Sequence, residues 1–209
     1  MRKSMYSAVG AAAVVLTLGA VAGTALAATT WTVSPGGAVK ATSANVGITD
    51  TKTKNPLPTI CNSTMNATLK HGSGLPGSSI ASITSVTFSN CRWVLGFVPT
   101  TKSAHLPWHL NAQSYTASSG TTSGTVTGIH LKITGPSCSA VVDGTSATAD
   151  NGRINFRYVN SSHKLTLPSS GGNLHYYQVS GCLGLVASGN PANMHGTYAF
   201  SPSQKITSP

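Results

Sequence analysis

Glutamate is absent from this chain, and aspartate occurs at three positions only, Asp50, Asp143 and Asp150. A glycosidase-type pair of carboxylates therefore has one place to sit in sequence, Asp143 with Asp150. Both belong to turn signals, Asp143-Gly144 and Asp150-Asn151-Gly152, and turn chemistry accounts for them. No Cys-x-x-Cys occurs, which removes the usual thiolate zinc site. No Gly-x-Ser-x-Gly places a serine on a strained elbow, and no glycine-rich phosphate loop is present. The Glu/Lys/Ala pattern of surface helices is also missing.

One long apolar run exists, and it lies at the N-terminus. Arg2 and Lys3 precede an apolar stretch from about Ala8 to Ala22, and Ala25-Leu26-Ala27 is a small-x-small cleavage signal. We therefore expect a signal peptide over residues 1–27, cut after Ala27 and sent by the general export route, since no twin arginine is present. No second such run follows, so the mature chain, residues 28–209, is expected to hold no transmembrane segment. Its length suits a single domain.

What remains is rich in Ser, Thr and Gly, the composition of an extracellular all-β domain. Period-two alternation supports this. Ile129, Leu131 and Ile133 alternate with His130 and Lys132, and Ile154, Phe156 and Tyr158 alternate with Asn155 and Arg157. Val86 and Phe88 share a face that Thr87 and Ser89 do not. Such alternation buries one face and wets the other, as in an antiparallel sheet. Gly-rich breaks at "HGSGLPGSS", "SSGTTSG" and "PSSGGN" separate the runs. The expected fold is an antiparallel β-sandwich or barrel.

The chain also looks internally repeated. The steps from Trp31 to Trp108 and from Cys61 to Cys138 are both 77 residues. "NVGITDTKT" resembles "VTGIHLKIT", and the surroundings of Cys91 resemble those of Cys182. The later half carries about 14 more residues, placed near "NGRINFRYVNSSHKLTL". Two similar halves, about 28–104 and 105–209, predict that equivalent cysteines pair equivalently, Cys61 with Cys91 and Cys138 with Cys182. A further echo, "TWTVSPGGAV" against "TYAFSPSQKI", points to first and last strands that are neighbours and close the fold, the alternative being two edge strands each ended by Pro.

His105 and His109, in "HLPWHL", have the i, i+4 spacing of zinc-holding helices. Pro107 between them disfavours a helix, and Leu106 stands where a metalloprotease has its glutamate. In an extended chain four residues span about 13 Å, too far for one ion. The stretch reads as the strand that opens the second half, anchored by Trp108. His71, His130, His163, His175 and His195 show no ligand spacing. No catalytic residue, cofactor or metal is expected from these patterns.

The mature chain carries a formal charge of +8 once Arg2 and Lys3 are removed from the +10 total. Its basic residues are scattered, with Lys52 and Lys54 the one alternating local pair. That favours solubility, or contact with an anionic cell-wall polymer or lipid, over the concentrated basic and aromatic patch that nucleic acid needs. "LPSSG" at 167–171 lacks the threonine and the hydrophobic tail of a wall-sorting signal. The Asn-x-Ser/Thr matches at Asn62, Asn66 and Asn160 matter only in a eukaryotic secretory pathway.

The order W-T-V-S-P-G-G, G-I-T-D-T, "SITSVTFSNC", "LPW", "GIHLKITGPSCSA", "SGCLGL", "SPSQKITSP" resembles a family of small, uncharacterised, secreted actinobacterial proteins. The resemblance spans nearly all of residues 28–209 and implies export and an all-β domain. It brings no catalytic or binding residues. We expect a secreted or envelope-associated, non-enzymatic structural or binding module. Two rivals are a barrel carrying an apolar small molecule or lipid and a hydrolase with a dispersed Ser-His-Asp site. Intact mass of the exported protein should show loss of the first 27 residues and of the hydrogens of two disulfides; a retained N-terminus contradicts the signal-peptide reading.

Overall fold

The computed structural model describes residues 30–53, 60–92 and 100–209. The expected signal segment, Lys54 and Trp93 lie outside the described residues. The earlier part of the chain forms β1 (Thr30–Ser34), β2 (Gly37–Asp50), β3 (Ile60–Leu69), β4 (Gly72–Pro76), β5 (Ala81–Arg92) and β6 (Thr100–Ser103). The later part forms β7 (Trp108–Thr116), β8 (Thr121–Ile129), β9 (Leu131–Gly135), β10 (Cys138–Asp143), β11 (Gly152–Val159), β12 (Lys164–Leu167), β13 (His175–Gly181), β14 (Ala192–Ser201) and β15 (Lys205–Thr207).

Eight strands close into an antiparallel barrel in the order β5-β3-β2-β14-β12-β11-β8-β7 and back to β5. Of the two architectures expected, the barrel is therefore the one formed. Closure removes the exposed edges that an open sheet would leave. The closing strand is forked. One edge of β5 pairs with β3 from Ala81 to Arg92. On its other edge Ala81–Ile83 pair with Leu110–Trp108 of β7, while Thr87 pairs with Lys102 of β6. Beyond the fork β6 leads into a side sheet in the order β6-β9-β10-β13. A separate three-stranded sheet, β15-β1-β4, is tied to the barrel by side chains. Tyr158 donates its hydroxyl hydrogen to Gln204 O at 2.7 Å, and Thr122 and Asn160 donate to Ile206 O at 3.0 and 2.9 Å.

The alternations read from sequence hold in most strands. Ile154, Phe156 and Tyr158 are buried while Asn155 and Arg157 face water. Trp31, Trp108, Tyr158, Tyr198 and Phe156 are among the largest fully buried side chains. Barrel, side sheet and small sheet share one continuous apolar core. Two of the buried phenols keep a polar contact: Tyr198 donates to Ser63 Oγ at 3.0 Å, as Tyr158 does to Gln204 O. Burial pushes both phenols up to about 12.

Both disulfides form as expected, Cys61–Cys91 across β3 and β5, and Cys138–Cys182 from β10 to the residue after β13. Loop closure over 30 and 44 residues stabilises by about 3.6 and 4.0 kcal/mol in the chain-entropy picture. The first and last strands pair, Val33 opposite Ile206, and the strands preceding and following the two Ser-Pro corners pair as well, Lys40 opposite Ser201. Both echoes are thus neighbours in space, but the first and last strands pair in the small sheet and it is β5 with β7 that closes the barrel. The two parts do not form separate lobes, because β2, β3 and β5 share one barrel with β7, β8, β11, β12 and β14. Trp31 lies in the small sheet and Trp108 in the barrel. The extra stretch of the later part supplies the barrel strands β11 and β12.

Two sequence expectations need correction. "HGSGLPGSS" and "SSGTTSG" are not simply breaks, because Gly72–Pro76 form β4 against β1 and Thr121–Gly124 open β8 between β7 and β11. Period two puts His130 on a wet face, yet it is 2% exposed. The continuous strand expected through it is interrupted there, as the chain leaves β8 in the barrel and enters β9 in the side sheet. The change of sheet turns His130 inward.

His195 on β14 lies over Gly47 of β2, where a β-carbon would stand 2.6 Å from the ring. Burial holds this imidazole below its ordinary value, favouring the neutral ring. The unfolded chain then takes up the proton first. The stability contributed is complete above about pH 6.5 and is lost as pH falls below it. The melting temperature should drop as pH falls below about 6.5, and His195→Asn should flatten that drop. An unchanged slope in the variant contradicts this.

Candidate functional site

Three of the connections that cross between barrel and side sheet each bring one or two polar residues to the same place. The β6–β7 connection carries His105, the β8–β9 step carries His130, and the β10–β11 loop carries Asp150 with Asp143 at its start. Trp108 anchors the first crossing: it is 1% exposed and its indole donates to Ala104 O at 3.4 Å. The Ala104 amide donates to His130 O at 3.0 Å, which ties the first crossing to the second.

Asp143 organises the third. It is fully buried. Its Oδ1 accepts from the amides of Gly144 at 2.6 Å and Asn151 at 3.2 Å. Its Oδ2 accepts from the amide of Asp150 and from His130 Nδ1, both at 2.9 Å. Burial alone would raise this carboxyl. The amides of Gly144 and Asp150, with the bond and charge of His130, outweigh it and hold it below the usual carboxylate value. The loop is closed further by Asn151, whose Oδ1 accepts from the Thr145 amide at 2.9 Å, and by Tyr177, which donates to Gly144 O at 2.8 Å.

The result is a compact constellation. His130 Nδ1 lies 3.0 Å from Asp150 Oδ1 and 2.9 Å from Asp143 Oδ2. His105 Nδ1 also contacts Asp150 Oδ1. The rings of His105 and His130 stack with centroids 4.5 Å apart and planes 29° apart. His130 Nε2 is buried and has no hydrogen-bond partner. His105 and Asp150 are 49% and 40% exposed, so the cluster has a buried base and an open rim. Both rim residues have left-handed backbones, φ 54° and 52°. His and Asp tolerate that conformation better than most residues, but each still costs about 1 kcal/mol or more.

Sequence reasoning treated His105 with His109, and the acids as turn formers. The turns are real, as the bonds to the Asp143 carboxylate show. The same turns deliver Asp150 to two histidines. His109 does not join them; it lies in β7 opposite Ser82 and Thr127. The partner of His105 is His130, 25 positions away in another crossing, and no local spacing marks that meeting. The one available signal was the pair of turn motifs bracketing residues 143–152 beside a histidine at a strand break.

No family model matches the chain, and no curated protein or solved structure is significantly similar to it.

Replacing Asp143 with alanine should cost about 3 kcal/mol, because it orphans three amides and a buried imidazole. Urea denaturation of Asp143→Ala and of the native chain measures this; a loss below about 1 kcal/mol would show that the loop does not depend on the carboxylate.

Proposed function

We propose that this chain is an exported, disulfide-stapled, basic β-barrel that works outside the cytoplasm as a non-enzymatic binding module, held at the cell envelope by an anionic wall polymer. The observation that carries this reading is how the three acids are used. Asp50 is buried and accepts from Asn190 Nδ2 at 2.7 Å and from the amides of Lys52 and Thr53. Asp143 and Asp150 are engaged with histidines and loop amides. Among the described residues no lysine or arginine has a carboxylate partner, and all of them are exposed. Lys102 and Lys132 even stand directly opposite each other on β6 and β9. Like charges in that register are unfavourable in isolation and are relieved by a bound anion.

Export is supported by the signal-like N-terminus and by two disulfides, which persist in oxidising surroundings. An actinobacterial origin rests on the family resemblance alone. The carrier reading has less support, because the buried faces of the barrel strands are occupied by Phe156, Tyr158, Leu165, Met194 and Tyr198. Two open grooves of about 650 and 410 Å³ border the β2 bulge at Ala44 and Asn45 on the outer surface. The hydrolase reading would need a serine on the histidine pair, and among the described residues no serine hydroxyl bonds to His105 or His130.

Purified mature protein should co-sediment with isolated actinobacterial walls at about 0.1 M salt and be released at about 1 M, where the screening length falls from about 10 to about 3 Å. Binding that ignores salt, or binding to anionic vesicles and not to walls, contradicts the polymer reading.

A further inference from the structure

We propose that His105, His130 and Asp150 form a mononuclear site for a divalent first-row transition ion, zinc being the natural probe. One donor atom from each of the three residues lies within 4.8 Å of the others. The Nδ1 atoms of both histidines already converge on one carboxylate oxygen, Asp150 Oδ1. A zinc ion takes imidazole nitrogen and carboxylate oxygen at about 2.0–2.2 Å, so a small outward shift of the two exposed side chains accommodates it.

The site has a fixed half and an adjustable half. His130 is buried and cannot move far, and the Asp143 carboxylate holds the loop that presents Asp150. His105 and Asp150 sit on the rim, where an ion enters from water and keeps water as its remaining ligand. Two nitrogens and one oxygen suit zinc, copper(II), nickel or cobalt(II); calcium and magnesium prefer oxygen alone.

Charge points the same way. Asp143 and Asp150 meet at one spot of a chain whose other described charges, Asp50 apart, are positive. In the metal-free chain that spot is served by the Nδ1–H groups of the two rings. An ion replaces those protons, and each ring then carries its single proton on Nε2. Binding through Nδ1 leaves His130 Nε2 as a buried N–H without a partner, a cost that the ion's bonds have to exceed. Left-handed backbone at both His105 and Asp150 is the kind of local cost that persists where side-chain placement matters. This proposal stands apart from the envelope role, which rests on the exposed lysines and arginines.

The test is calorimetric titration of zinc chloride into the untagged, disulfide-intact mature protein, with cobalt(II) absorption as a second readout. Zinc should bind at one equivalent. His105→Ala and Asp150→Asn change rim residues and leave the buried core intact; each should weaken zinc by on the order of 100-fold. His109→Ala should leave the affinity unchanged. Asp143→Asn, at a positioning residue, should weaken binding by about 10- to 100-fold and leave the cobalt spectrum at saturation with its native shape. Proton–nitrogen correlation spectra should show the ring signals of His105 and His130 shifting together on adding zinc. Native-like affinity in both His105→Ala and Asp150→Asn overturns the proposal, as does the absence of stoichiometric binding by the native chain. Loss of binding in His109→Ala alone also overturns it.

Discussion

The fork in β5 is the constraint on which the rest of the molecule depends. Its first residues must pair with β7 to close the barrel, and its later ones with β6 to start the side sheet. One strand edge cannot serve two partners at one level, so the chain has to cross between the two bodies repeatedly. β6 to β7, β8 to β9 and β10 to β11 are such crossings. Crossings interrupt the ladder and free backbone groups, which must find other partners. The Ala104 amide on His130 O and three loop amides on Asp143 are those partners. Polar side chains gather at the seam because the backbone there needs them.

The scarcity of acids follows a consistent logic. Asp50 and Asp143 are used inside, holding turns and a histidine, and Asp150 sits on the rim against two histidines; none of the three pairs with a lysine or arginine among the described residues. Surface pairs contribute little to stability, so the fold loses little by their absence. The exterior is left with uncompensated positive charge, and the seam with a small negative focus ringed by imidazoles. The two proposed kinds of recognition, polyanion outside and cation at the seam, both draw on one distribution of carboxylates.

Much of this fold was legible in the residues. The alternation of Ile154, Phe156 and Tyr158 marks a half-buried antiparallel strand, because each inward position is apolar and each outward one is not; that the sheet closes into a barrel is not written in it. The 77-residue step between Trp31 and Trp108 led to the correct cysteine pairs, although the strands bearing those tryptophans lie in different sheets. The two Ser-Pro echoes marked strands that pair. His130 was misplaced because period two assumes an unbroken strand, and a change of sheet resets which face is buried. β4 was read as a break because glycine content describes the local chain, while its pairing with β1 is decided by a partner some forty residues earlier. The seam cluster was out of reach for the same reason: its members come from three crossings, and only the fork brings those crossings together.

Hydrogen exchange at single amides tests the seam most directly. The amides of Gly144, Asp150 and Asn151, all bonded to the Asp143 carboxylate, are measured beside that of Ile80, which donates to Leu110 O next to the fork. The account predicts that the three loop amides are protected, and that in Asp143→Ala they lose protection together while Ile80 keeps its own. Loop amides that exchange as freely as an unstructured chain in the native protein would contradict it.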